Sequence, residues 1–241
     1  MLETPLRAAL LDAAALLLPV SCAGCGADDR ALCGPCTAAL TPAPLHRALP
    51  DGTPVHAGIA YAGVAREVIV AMKDGRPGLA RRLAPLLVAA IESAGVESAG
   101  VDAGGRGGGP AELCAVPSTG RARRSRGYDP VRLLLARAGF RPAPVFRAAR
   151  PHPAQKTLSR AERAAHLGGV FVARGPLLGR RFVLVDDVVT TGATLAAAAA
   201  TLRSAGAEVV ACATVASTPR RVGGVGGDPA ATRCRRPGSI G

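Results

Sequence analysis

The residues with the plainest chemical capacity are two adjacent carboxylates, Asp186 and Asp187, followed by Val188, Val189 and the small polar run Thr190, Thr191, Gly192, Ala193 and Thr194. The run 182–185 ahead of them is short, continuously apolar and β-branched, which predicts a strand buried on both faces of a parallel sheet. Leu195, Ala199 and Leu202 follow at helical spacing, and Gly206 is placed to close that helix. The threonine loop therefore joins the carboxyl end of a strand to a helix N-terminus. Free backbone N–H groups and the positive end of the helix dipole suit a phosphate there. Gly192 lets the backbone turn tightly and approach a ligand. The acid pair repels phosphate, but suits sugar hydroxyls or a Mg²⁺ carried by a phosphorylated sugar.

Two further sets carry chemistry. Ser118, Thr119 and Gly120 follow a second short apolar run and lead into Arg121, Arg123, Arg124 and Arg126, then Gly127 and Tyr128. Again a strand passes through a small-residue loop to a helix, this time with cations. Guanidinium groups bind phosphate bidentately and stay charged at any relevant pH, so this loop suits a leaving pyrophosphate. Cys22, Cys25, Cys33 and Cys36 form two CxxC knuckles seven residues apart. Four thiolates aimed at one point are the ligand set that tetrahedral Zn²⁺ prefers, and no open coordination position is evident, which predicts a structural site. The three remaining cysteines, Cys114, Cys212 and Cys234, are scattered; the odd total argues for metal binding in a reducing cytosol over a disulfide framework.

The elements that must position these groups are legible along the 241 residues. Apolar residues make up 49% and aromatics only 2%, so the core must be Ala, Val and Leu. The region 8–20 reads as an amphipathic helix, too short for a membrane span and interrupted by Asp12, so no membrane insertion and a cytoplasmic location are expected. The region 38–54 is rich in Pro, Ala and Thr and reads as a linker; His46 and His56 near it read as ordinary surface residues. A strand is expected over 55–61, helices over 63–74 and 79–93, a strand over 111–117, a helix over 131–138 and a strand over 208–215. Lys73, ending the first of these helices, either complements the helix dipole or contacts an anionic ligand. The glycine-rich stretch 95–110 reads as a flexible insertion, and 219–241 as a disordered basic tail. The organisation expected is a helix and Cys₄ module over 1–40, an α/β domain over 55–218, and the tail. A net charge of +13 favours polyanionic partners.

The segment 182–194, four apolar residues, Asp-Asp, two apolar residues and Thr-Thr-Gly-Ala-Thr, resembles the phosphoribosyl pyrophosphate (PRPP) motif of type I phosphoribosyltransferases. With the cysteine ribbon, the loop ending in Arg126-Gly127-Tyr128, and Gln155, Leu158, Arg160 and Arg163 ahead of Gly169-Val170-Phe171, the chain resembles the ComF family of bacterial phosphoribosyltransferase-like proteins. It departs from that family at Asp129-Pro130, where Asn-Gln is usual, and at His166, where Asn is frequent. The resemblance implies a type I phosphoribosyltransferase-like α/β fold, with a parallel sheet flanked by helices and a small N-terminal zinc ribbon. It implies catalytic acids Asp186 and Asp187 on the ribose hydroxyls, the residues 188–194 around the 5′-phosphate, and Ser118, Thr119, Gly120 and Arg126 on pyrophosphate. Mg²⁺ would accompany PRPP, and the stretch 155–163 would close over it. The acceptor is not implied, and a homo-oligomer is left open. The family's link to natural competence carries an alternative: a non-catalytic protein binding single-stranded DNA or competence proteins. Stacking aromatics for that role are few, namely Tyr61, Tyr128, Phe140, Phe146, Phe171 and Phe182.

Overall fold

The computed structural model describes residues 20–28, 30–95, 110–118, 126–148 and 171–219. The expected N-terminal helix, most of the glycine-rich insertion, Thr119, Gly120, Arg121, Arg123, Arg124, the stretch 155–163, His166 and nearly all of the tail lie outside them.

The chain builds a five-stranded sheet. Its strands are β1 (Leu45–Ala48), β2 (Pro54–Ala60), β3 (Ala111–Ala115), β6 (Arg181–Val189) and β7 (Glu208–Ser217). Their spatial order is β1-β2-β7-β6-β3, and β2, β7, β6 and β3 run parallel. A separate antiparallel pair joins β4 (Phe146–Ala148) and β5 (Phe171–Ala173). The helices are α1 (Gly34–Ala38), α2 (Gly63–Lys73), α3 (Ala80–Ser93), α4 (Pro130–Arg137) and α5 (Ala193–Ser204).

Alternation along the central strands sorts the core into two layers. Val183 and Val185 of β6, with Ala211, Ala213 and Val215 of β7, pack under α2, α3 and α4. Phe182 and Leu184, with Val209 and Cys212, face α5 and the β4–β5 pair. Helices cover both faces, which is why these strands read as continuous apolar runs. The thin, aromatic-poor composition permits close approach. Gly58 of β2 lies so near α3 that an added Cβ would stand 2.0 Å from the Leu86 carbonyl oxygen.

Three expectations need correction. The 38–54 region is not only linker. It contains β1, which pairs antiparallel with β2 from Leu45 opposite Ala57 to Ala48 opposite Pro54, so the sheet is mixed and not wholly parallel. The segment's prolines and threonines masked it, because an exposed edge strand carries little apolar signal. His46 and His56 are cross-strand partners, with their Nδ1 atoms 3.0 Å apart, and not isolated surface residues. Finally, β6 does not stop at Val185. It continues through both carboxylates to Val189, because Asp186, Val188 and Val189 stay in register with Thr214, Ala216 and Ser217 of β7.

The Gly58 contact makes a direct prediction. Gly58→Ala should destabilise the protein by about 2–3 kcal/mol or more, because the atom it meets is backbone and cannot swing away. Denaturant unfolding measures it; an unchanged midpoint would show that β2 and α3 separate at no cost.

Candidate functional site

The acid pair occupies the sixth and seventh of the nine positions of β6. Asp186 and Asp187 follow four fully buried residues, Phe182 to Val185, and precede the buried Val189. Strand alternation sends the two side chains to different faces. The Asp186 carboxylate accepts the Asp187 backbone N–H at 2.8 Å. Asp187 Oδ1 accepts from Lys73 Nζ, also at 2.8 Å, in a half-buried ion pair. Lys73 is the last residue of α2, and its neighbour Met72 offers its carbonyl to the Tyr128 hydroxyl. Thus the C-terminus of α2, the start of α4 and the end of β6 converge on the acids.

Burial, and then the Asp187 charge, push the Asp186 carboxyl up to about 8, against the opposing pull of the Asp187 amide and Lys73; Asp129 adds a smaller upward push. Asp129 itself caps α4, its Oδ1 accepting from the Val131 amide at 3.1 Å and the Arg132 amide at 3.2 Å, with Pro130 at the first helical position. The Asp129-Pro130 departure is thereby a helix start signal with a local physical reason.

Beyond the acids, Thr190 and Thr191 are exposed, Gly192 is buried, and Ala193 and Thr194 form the exposed first turn of α5. Gly192 is the helix N-cap with φ 85°, a left-handed conformation that glycine adopts without strain. A Cβ there would also stand 2.8 Å from the Leu49 side chain. The Thr191 hydroxyl accepts the Ala193 amide at 3.3 Å. The loop was expected to run from 190 to 194; Ala193 and Thr194 are already helical, while Val188 and Val189 belong to the strand.

Ser118 lies beside this end of the sheet. β3 is the neighbour of β6, and the Val116 amide, just past β3, still donates to the Val185 carbonyl at 2.9 Å. Ser118 is two residues further on, and Arg126 precedes α4 by four. Both candidate loops therefore leave the carboxyl ends of adjacent parallel strands, where ligands of open α/β sheets bind. Sequence reasoning singled out Lys73 without its partner, and missed Arg47, whose Nη1 donates to the Thr190 carbonyl at 2.7 Å. Both contacts span more than a hundred residues, so no local pattern signals them.

The four cysteines converge as expected. Their Sγ atoms all lie within 4.8 Å of one another, and Cys25 and Cys33 are 3.7 Å apart. A tetrahedron with about 2.3 Å Zn–S bonds has sulfur edges of about 3.8 Å, so the residues fit zinc. Burial alone would raise the Cys22 thiol, but backbone N–H groups of Cys33, Cys25 and Gly24 outweigh it and hold it at about 6, favouring the thiolate that a metal needs. Gly24 is required for closeness: a Cβ there would lie 2.8 Å from Cys36 Sγ. The module is tied to the domain by Arg76, whose Nη1 donates to the Ser21 carbonyl at 2.7 Å.

The raised Asp186 carboxyl has a stability consequence with a defined sign. A folded-state value above the unfolded one gives stability that is full below the unfolded carboxylate range and is lost as pH rises through about 8. Asp186→Asn keeps the shape and the acceptor without the charge. Its melting temperature should exceed that of the wild type by a margin that grows from pH 5 to pH 8.5, on the order of 1–3 kcal/mol in free energy. A margin independent of pH would contradict the burial of that charge.

Comparison with known proteins bears on the same segment. The phosphoribosyl transferase domain family matches residues 151–226, which include the acid pair and the threonine loop. Adenine phosphoribosyltransferases from Mycobacterium avium and Mycolicibacterium paratuberculosis are each 62% identical over 39 residues, 16% of this chain and 22% of theirs. The chain thus spans about a fifth of the length of these curated relatives. An orotate phosphoribosyltransferase from Aeropyrum pernix aligns over 73% of this chain and 88% of its own, at 16% identity and a TM-score of 0.32. The segment that carries the acid pair and the threonine loop is thus similar to a phosphoribosyl transferase domain, within a mostly parallel sheet flanked by helices.

Proposed function

We propose that the protein binds Mg²⁺-PRPP and transfers its phosphoribosyl group to an acceptor with release of pyrophosphate. The observation carrying this reading is the acid pair in the C-terminal half of a buried parallel strand, two residues ahead of a glycine-turned threonine loop that leads into a helix. The Cys₄ ribbon ahead of the domain supports a ComF-type protein within the phosphoribosyltransferase-like class.

In this mechanism Asp186 and Asp187 accept hydrogen bonds from the ribose hydroxyls and fix the ring. The amides and hydroxyls of 190–194, with the α5 dipole, hold the 5′-phosphate. Ser118, Thr119, Gly120 and Arg126 take the pyrophosphate, and Mg²⁺ spreads its charge when bound. The anomeric C–O bond breaks with its electron pair leaving on pyrophosphate, and the acceptor's lone pair attacks C1 from the opposite face. An oxocarbenium-like sugar beside the Asp187 carboxylate is favoured electrostatically, so the protein contributes position and charge more than proton transfer. Lys73 holds the Asp187 side chain in place before the sugar arrives. In the ribbon, Cys22, Cys25, Cys33 and Cys36 would hold Zn²⁺ as a structural ion, which substitutes for a core in a segment too small to have one.

Millimolar Mg²⁺-PRPP should raise the melting temperature, and Asp187→Asn should weaken that binding about tenfold or more. If PRPP gives no shift while an oligonucleotide in low salt does, the transferase reading fails and nucleic-acid binding replaces it. Protein purified without chelator should contain about one zinc per chain, and stripping it should unfold the ribbon. Zinc well below that ratio would remove the metal from the account.

A further inference from the structure

The edge strand β1 lies outside the segment that matches the phosphoribosyl transferase family, yet it contacts the threonine loop at two points. Arg47 Nη1 donates to the Thr190 carbonyl at 2.7 Å. The Leu49 side chain packs where a Cβ on Gly192 would stand, and Leu49 shares a buried cluster with Val189 and Leu195 on either side of the loop. The same carbonyl of Thr190 accepts the Thr218 hydroxyl at 3.3 Å, and the Thr218 amide is bound to the Val189 carbonyl at 3.0 Å. Thr190 is therefore held from both sides, by the segment after β7 and by β1.

The hairpin carrying Arg47 is itself anchored. Asp51 in its turn accepts from the Thr53 amide at 3.0 Å and forms an ion pair with Arg203 of α5. Arg203 also donates to the Thr53 hydroxyl at 2.7 Å. So the hairpin is fixed to the last turn of α5 by Arg203, to the start of α5 by Leu49 and to the preceding loop by Arg47. Arg47 has one further feature. Its Nε is buried and has no hydrogen-bond partner among the described residues, although an arginine N–H removed from water is costly to leave unpaired. The guanidinium is bonded to the loop backbone through Nη1, which brings its charge against the loop.

We propose that Arg47 is a positioning residue for the phosphate-monoester end of the ligand: it fixes Thr190, aligns the loop amides and brings a cation to the 5′-phosphate subsite. This rests on the PRPP reading above. The role belongs to one end of the ligand only. Pyrophosphate, assigned to the loop after β3, does not use the 190–194 loop, so Arg47 discriminates between the two anions.

Calorimetric titration with ribose 5-phosphate, Mg²⁺-PRPP and Mg²⁺-pyrophosphate tests it, on the full chain as wild type, Arg47→Met and Arg47→Lys. Arg47→Met should weaken ribose 5-phosphate and PRPP about tenfold or more and leave pyrophosphate unchanged. Arg47→Lys, which keeps the charge but not the planar fork, should fall between. If Arg47→Met does not fold, Arg47→Lys carries the test through the same selective loss. Equal weakening of all three ligands would mark Arg47 as a fold element only, and unchanged binding of all three would remove it from the site. Both outcomes overturn the proposal while PRPP binding stands. Wild-type protein that binds neither ribose 5-phosphate nor PRPP overturns the proposal together with the PRPP reading.

Discussion

Two adjacent carboxylates at the end of a strand buried on both faces are the constraint that the surrounding structure answers. Desolvating one carboxylate is expensive, and a second beside it adds repulsion. Three features hold the pair in place. The β6–β7 ladder continues past the acids to Val189 opposite Ser217, so the backbone there is paired and ordered. Asp187 meets Lys73. Asp186 takes up a proton more readily than an ordinary aspartate and accepts the next amide. A chain selected only for stability would place Val or Leu at these two positions, as it does at the four before them. Retaining both acids sacrifices stability locally, which is the pattern of a binding site.

That constraint explains the layout of the helices around it. Lys73 can reach Asp187 only because α2 ends there, and the Tyr128 hydroxyl on the Met72 carbonyl ties that end to the start of α4. Asp129 then caps α4, and its negative charge near Asp186 opposes ionisation. The cysteine module attaches to the same helix pair through Arg76 and through Gly24 against Val64. A folded ribbon would thus stiffen the helix whose far end presents Lys73. The four sulfurs lie within 4.8 Å of one another, a cluster that suits a soft cation.

Much of this was legible from residue order. The apolar run, the acids, the threonine loop and the helix stripe at Leu195, Ala199 and Leu202 are local patterns, and the buried positions match them. The CxxC spacing likewise brings its sulfurs together without reference to the rest of the fold. Boundaries were less legible: a strand containing two aspartates is scored as ended, because only cross-strand pairing with β7 extends it through them. β1 was missed because an edge strand needs hydrogen bonds on one side only, so it tolerates the polar and proline-rich composition of a linker. The contacts of Arg47 and Lys73 were invisible for a different reason. They join residues 143 and 114 apart, and only the sheet order brings those segments to one place.

The sheet order also limits what the site can hold. β3 and β6 are neighbours, but Ala115 at the end of β3 lies opposite Val185, four residues before β6 ends at Val189, so the loop after β6 starts about 13 Å further along the strand direction. The acids lie on β6 itself, between the exit of its own loop and the side on which β3 ends. A ligand with one anionic group could satisfy either loop but would leave the acids unmatched or repelled. A ligand with anions at both ends and a hydroxylated, charge-free middle satisfies all three at once. On the transferase reading proposed above, that middle is the sugar and the two anions are its phosphate groups. An extended polyanion would repeat its negative charge along its length and so meet the carboxylates wherever it crossed β6. The same geometry separates the work of two cations: Lys73 bonds to Asp187 and Arg47 to the loop after β6.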